Sequence, residues 1–141
     1  MRERIAWPIW LWLLALSLDM AIFISVGVAL DDRQLLLAIL ILLALTIYLW
    51  SISRLTITLA GETLRVGRAQ IDIGLISAVT VIDKDQMKLE RGRNLDARAY
   101  LAIRFWIKGG VKIAISDSRD PTPYWLISMK QGAKLKELLD K

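Results

Sequence analysis

"LLLAILILLALTIYLWSISRLTITLA", residues 35–60, changes its period at Arg54. Residues 35–53 are apolar on all sides, as a helix surrounded by lipid must be. From Leu55 onward apolar and polar residues alternate. Leu55, Ile57 and Leu59 fall on one face and Thr56 and Thr58 on the other, the pattern of a half-buried strand. The stretch therefore joins a membrane-type helix to a β domain, and it predicts a chain in two parts, residues 1–53 and 54–141.

A second apolar run lies upstream, "IAWPIWLWLLALSLDMAIFISVGVAL", residues 5–30. About 20 apolar residues cross a hydrocarbon core, and both runs reach that length. Only "DDRQ", residues 31–34, separates them, so helices over about 5–30 and 35–53 form a tight antiparallel transmembrane hairpin. Two buried core helices are the other reading, but the rest of the chain is too small to enclose both. A cleaved signal peptide would explain the basic start "MRER", yet signal cores run to about 7–15 apolar residues. Hydrophobic residues make up 55% of the 141, and the excess sits in the first third.

Lys and Arg near the membrane ends set orientation. Arg2, Arg4 and Arg54 flank one end of the hairpin. Arg33 stands at the other, beside Asp31 and Asp32. Both termini are thus expected in the cytoplasm, with the protein in the cell membrane. Trp7, Trp10, Trp12, Tyr48 and Trp50 gather toward the same end, as aromatic rings do at the headgroup level.

Asp19 interrupts the apolar pattern. Reflection of the hairpin about residues 32 and 33 sets it level with Thr46. Three roles follow from an intramembrane carboxyl: an uncharged group hydrogen-bonded to Thr46 or a backbone carbonyl, a contact to another membrane subunit, or an ion or proton site. The lack of a second intramembrane charge argues against the last.

The remainder reads as seven short strands and a helix. "RLTITLA", "TLRVGRA", "QIDI", "SAVTVID", "YLAIRFWI", "VKIAIS" and "YWLISM" are the strands, with "KGG" as a hairpin turn before the sixth. The charged interval 84–99 is expected to be a loop or a ragged hairpin extension. "QGAKLKELLDK" is expected to form a helix over 131–140, with Ala133, Leu135, Leu138 and Leu139 on one face. A seven-strand meander closes into a sandwich or a partly open barrel, so the fold class is α+β.

This order resembles the pleckstrin-homology-like domains of bacterial membrane proteins, which often follow a pair of membrane helices. "DARAYLAIRFWI" and "VKIAISDSRDPTPYWLISMK" carry a second resemblance, to a family of small actinobacterial two-helix membrane proteins of unknown function. That family ends in a strand close to DPTPYWLVS. Ala97, Phe105 and Met129-Lys130 depart from its pattern. The resemblance implies the architecture and assigns no catalytic residue.

Function is less legible. Asp117, Asp120, Pro121, Thr122, Pro123, Tyr124 and Trp125 form either a stiff connector that aims a strand or a recognition loop. The residue before a proline avoids the helical region, and prolines suit strand entries. That favours the connector. Asp96, Asp117 and Asp120 are the carboxylates available for a hard cation, with turn chemistry as their simpler role, so neither a metal nor a cofactor is expected. The chain has no Cys and no His, which excludes disulfides, thiol nucleophiles, Cys/His zinc sites and a His base. No nucleophile has a visible base, and the chain reads as a non-enzyme.

Residues 54–141 hold sixteen Lys and Arg against ten Asp and Glu, whereas residues 1–53 hold three against four. Lys84, Lys88, Arg91, Arg93 and Arg98 make the candidate basic surface. A non-catalytic module anchored in the lipid bilayer is expected, its cytoplasmic domain binding acidic lipid headgroups or a protein partner. An accessory subunit of a larger membrane complex is the alternative, and a second copy of the chain is a further candidate partner. Nucleic acid is not expected, because the charges are scattered and no aromatic-studded basic strand accompanies them.

Overall fold

The structure, a computed structural model, describes residues 1–140. The chain divides into two compact units, residues 6–54 and residues 1–5 with 55–141.

The first unit is the helical hairpin. Helix α1 spans Ile9–Gly27 and α2 spans Asp32–Ser53. Both are long and apolar enough to cross a membrane, with mean hydropathies of 2.1 and 2.7. α1 begins four residues later than the apolar run, because Pro8 precedes it as N-cap in an extended conformation. A proline holds its predecessor in that region too. α2 begins earlier than expected. Asp31 caps it by accepting from Gln34 N at 2.9 Å, and the Gln34 side chain accepts from Asp31 N at 3.3 Å. "DDRQ" is thus a reciprocal capping box as well as a turn.

The second unit is two four-stranded sheets. Strands β1 (Arg2–Ile5), β2 (Leu55–Ala60), β3 (Thr63–Val66) and β4 (Ala69–Asp72) form an antiparallel sheet in that order. β5 (Ile76–Ile82), β6 (Tyr100–Ala102), β7 (Gly110–Ile115) and β8 (Tyr124–Ser128) form the other, in the order β5-β7-β8-β6. All seven expected strands are present, and β1 is an eighth. Ile5 pairs directly with Leu55, so the helical hairpin is inserted between two neighbouring strands. The boundary at residue 53 is corrected accordingly, since residues 2–5 belong to the β unit.

The second sheet is not a meander. β6 ends at Ala102 and runs parallel to β8, with Tyr100 opposite Trp125. β7 already has β5 on one edge and β8 on the other, so β6 cannot pair with β7 and lies on the outer edge of β8. Lys108 and Gly109 of "KGG" therefore end a crossover, residues 103–109, and Gly110 opens β7, so the three residues are not a hairpin turn. Ser128, fully buried, ties that crossover down: Arg104 N donates to its Oγ at 3.0 Å.

Part of the charged interval 84–99 is a helix. α3, Lys84–Glu90, is capped by Asp83, which accepts from Asp85 N and Gln86 N at 3.0 and 2.9 Å. α4 spans Gly132–Leu139. Its Leu135 is fully buried, whereas Leu138 is exposed and Ala133 faces solvent.

Ile57, Leu64 and Val66 of the first sheet, Val111, Ile113 and Ile127 of the second, and Leu135 share one core. Ile82, Met87, Tyr124 and Leu126 make a smaller one on the far side of the second sheet. β8 lies between the two, and all five of its residues are buried.

Candidate functional site

The outer face of the first sheet follows from strand alternation. In β1, Glu3 and Ile5 point inward, and Arg2 and Arg4 are exposed. In β3, Leu64 and Val66 point inward and Arg65 is exposed. The register places Arg2, Thr58, Arg65 and Gln70 in one cross-strand row, with Arg4 opposite Thr56 in the next. Residues directly opposite share a face, so three arginines stand together on one exposed polar face. Arg68 joins them at the end of the sheet where Ile5 pairs with Leu55. The tight turn there brings Gly67 N to Thr56 O at 2.9 Å, with Gly67 at φ +61°. Only glycine takes that conformation without strain.

The side chains of Arg2, Arg4 and Arg68 have no hydrogen-bonding or ionic partner among the described residues, and that of Arg65 donates to Gln70 at 2.9 Å. Glu3, between Arg2 and Arg4, points to the inner face, and the nearest acids of the outer face lie toward the β2–β3 turn, with Asp72 two residues beyond Gln70. Glu62 lies in the β2–β3 turn, and Asp72 accepts from Gly74 N at 2.8 Å. Arg54, the C-cap of α2, stacks its guanidinium 3.7 Å from the Trp50 ring centre. Trp50, Trp12 and Trp7 form a chain of ring contacts at 5.6 and 5.1 Å.

The expected basic surface is weaker. Lys84, Lys88, Arg91 and Arg93 are exposed on α3 and the turn after it, interleaved with Asp83, Asp85 and Glu90. Arg98 is held by Asp96, its Nη2 2.9 Å from Oδ2 and its Nε 3.2 Å from Oδ1. These bonds and the Arg98 backbone N–H lower the Asp96 pKa to about 2.

The carboxylates considered for a cation each serve their own neighbourhood. Asp117 accepts from Arg119 N at 2.9 Å, and Asp120 accepts from Thr122 N at 2.9 Å, with its pKa lowered by Thr122. Among the described residues, no group of three or more acids is placed to hold a metal ion. The "DSRDPTPYW" segment links β7 to β8 and is pinned at each end: Ile115 N donates to Pro123 O at 3.1 Å, and Ser116 N to Leu75 O at 2.9 Å. Pro121 is exposed, Thr122 and Pro123 are half-buried, and Tyr124 and Trp125 are buried.

A polar cluster lies under α3. Lys112 Nζ donates to Glu90 Oε2 at 2.6 Å and sits 4.4 Å from the Tyr124 ring centre. Asn94 Nδ2 donates to Glu90 Oε1 at 3.3 Å. The Lys112 bond is the main cause that lowers the Glu90 pKa, and burial opposes it. The Tyr124 hydroxyl accepts from Asp96 N at 2.9 Å and donates to Asn94 O at 3.2 Å. A cleft of about 320 Å³ opens here, but its one lysine and one glutamate neutralise each other. The cluster braces α3 and residues 91–99 against the second sheet.

In the hairpin, Thr46 Oγ1 donates to Asp19 Oδ2 at 2.8 Å. Reflection about the turn places these two residues level, and the structure brings them together. The arginine face escaped the sequence reading because β1 did. "RERI" carries the alternation that reveals it, four residues long and directly before an apolar run.

No curated protein matches the chain, and neither does any solved structure. A family model described as "Protein of unknown function (DUF3093)" matches residues 1–139.

Proposed function

Since the chain belongs to this family of unknown function, its surface must carry the reading, and we propose a non-catalytic membrane-anchored module that binds acidic lipid headgroups. The two apolar helices span the membrane. Both termini are cytoplasmic, because Arg2, Arg4 and Arg54 flank one end and the acidic turn lies at the other. The β unit then sits beneath the anionic leaflet, with Arg2, Arg4, Arg65 and Arg68 as its contact.

The single observation behind this is the arginine face itself. Four cations share one sheet, no acid stands in their rows, and the chain leaves for the helices one residue beyond Arg4. Each basic side chain that reaches an anionic surface contributes about 1 kcal/mol. An open face with threonines between the arginines suits many phosphates better than one enclosed ligand.

The test uses the full chain in nanodiscs of phosphatidylcholine alone or with phosphatidylglycerol. The anionic lipid should raise the melting temperature of the β unit, and added salt should shrink the gain. Replacing Arg2, Arg4, Arg65 and Arg68 together by Gln should remove it. An equal gain in the substituted protein would show that the headgroups bind elsewhere.

A further inference from the structure

We infer that two copies of the chain pair within the membrane through the groove between α1 and α2, their Asp19 carboxyls meeting across the dimer axis. The inference rests on the membrane-spanning reading above. Leu16, Asp19, Met20 and Phe23 stand at i, i+3, i+4 and i+7 on α1. With Ile39, Leu42 and Leu43 of α2 they line an open groove of about 460 Å³. Asp19 is the one ionisable residue in that lining.

Its Oδ2 is engaged by Thr46, while Oδ1 has no hydrogen-bond partner among the described residues. An unpaired carboxyl oxygen at membrane depth is costly, and intramembrane acids face partners for that reason. A carboxylic acid carries both an O–H donor and an acceptor oxygen, so it is its own complement. Two that share a proton close a hydrogen bond without any other group.

Symmetry supplies the rest. Copies inserted with the same topology are related by a two-fold axis along the membrane normal, and a two-fold interface is self-complementary. Each Asp19 then lies at the same depth as its counterpart. A partner of different sequence would need its own polar group at that level. The apolar walls, Leu16, Met20 and Phe23, supply the packing that holds membrane helices together once a polar contact sets the register.

The chain has no cysteine, so one introduced thiol reports one position. Met20→Cys lies in the groove, and Leu18→Cys lies on the opposite side of α1. In native membranes, oxidation should link Met20→Cys copies into dimers and leave Leu18→Cys copies monomeric. Adding Asp19→Leu to Met20→Cys should raise the dimer dissociation constant roughly 3- to 18-fold, the range for one hydrogen bond between membrane helices. Asp19→Asn, whose amide also donates and accepts, should keep the cross-link. Carbonate extraction of the same membranes separates the two ways to fail. Inserted protein without the Met20 cross-link, or with equal cross-linking from Leu18, overturns the dimer and leaves the membrane reading standing. A cross-link undiminished by Asp19→Leu, or one joining a chain of different mass, also overturns it. Protein released by carbonate overturns the membrane reading itself.

Discussion

Glu3, in the first strand, holds the entry to the last helix: Lys130 N donates to its Oε1 at 2.8 Å, and Gln131 N donates to its Oε2 at 3.1 Å. The carboxylate is buried, with 7% of the residue exposed. It occupies the helix end where N–H groups lack partners inside the helix and negative charge is favoured. Strand β1 is thereby stitched to the sheet on one side and to the C-terminal segment on the other.

Removing that carboxylate should therefore unfasten both ends of the β unit. Glu3→Ala removes the charged acceptor of both N–H groups and should cost about 1.5–3 kcal/mol. Glu3→Gln retains an acceptor and should recover part of the loss. Thermal unfolding of the detergent-solubilised chain measures both. Equal melting of wild type and Glu3→Ala would show that water replaces the carboxylate at no cost.

Acid should weaken the β unit through Glu90 and Asp96. Each has its folded pKa below its unfolded value, Glu90 by the Lys112 bond and Asp96 to about 2 by Arg98. Their stabilisation is complete above pH 4.5 and is lost as the pH falls through the folded values. For Asp96 the window runs from the ordinary 3.8 to about 2. Glu90→Gln should lower stability at pH 7 and flatten its fall as the pH drops below 4.5. A melting curve of unchanged pH slope in that variant would remove Glu90 from the acid response.

Tyr124 and Trp125 should behave as core residues. Trp125→Ala removes a buried ring packed 5.0 Å from Tyr100 and should cost about 3–5 kcal/mol. Tyr124→Phe keeps the ring beneath Lys112 but leaves the Asp96 N–H without its acceptor, a cost of about 1–3 kcal/mol. Pro121→Ala and Pro123→Ala should cost only about 0.5–1 kcal/mol, through a freer unfolded chain. Denaturant melts of the four variants should follow that order. A Trp125→Ala protein as stable as wild type would return the segment to a recognition role.

Gly110 is a close-approach glycine. It pairs with Ser128, and an added Cβ would run into the Ile127 carbonyl. Backbone cannot yield as a side-chain tip does, so Gly110→Ala should abolish folding of the β unit. Near-native circular dichroism and melting in that variant would contradict the β7–β8 register.

Local pattern revealed the elements whose burial is local. Leu55, Ile57, Leu64, Val66, Val111 and Ile113 alternate as half-buried strands must, and all six are buried. Asp19 and Thr46 were legible together because a short turn leaves an antiparallel hairpin one register. What stayed hidden depends on distant partners. β1 is four residues that become a strand only because β2 returns beside it. α3 buries Met87 alone, too little for an apolar period, and its sole local sign is the cap pair Asp83 and Gln86. "YLAIRFWI" reads as one strand, yet Ser128, reached only through the fold, draws the chain away after Ala102. No local pattern states that β6 lies parallel to β8.

The pairing of Ile5 with Leu55 makes the strongest claim about organisation. If β1 and β2 are ordinary antiparallel neighbours, residues 6–54 are an insertion at the site of a hairpin turn. A two-residue Asn-Gly link matches the twist of such strands and is favoured there. Replacing residues 6–54 by Asn-Gly should therefore give a water-soluble protein with β1 still in place. Its melting should remain cooperative, since both cores draw their residues from the β unit. Glu3→Ala in this shortened chain should lower its stability as it does in the full one, which reports directly that β1 is docked. A shortened chain that aggregates, or one indifferent to Glu3→Ala, would show that β1 needs the helices to find its place.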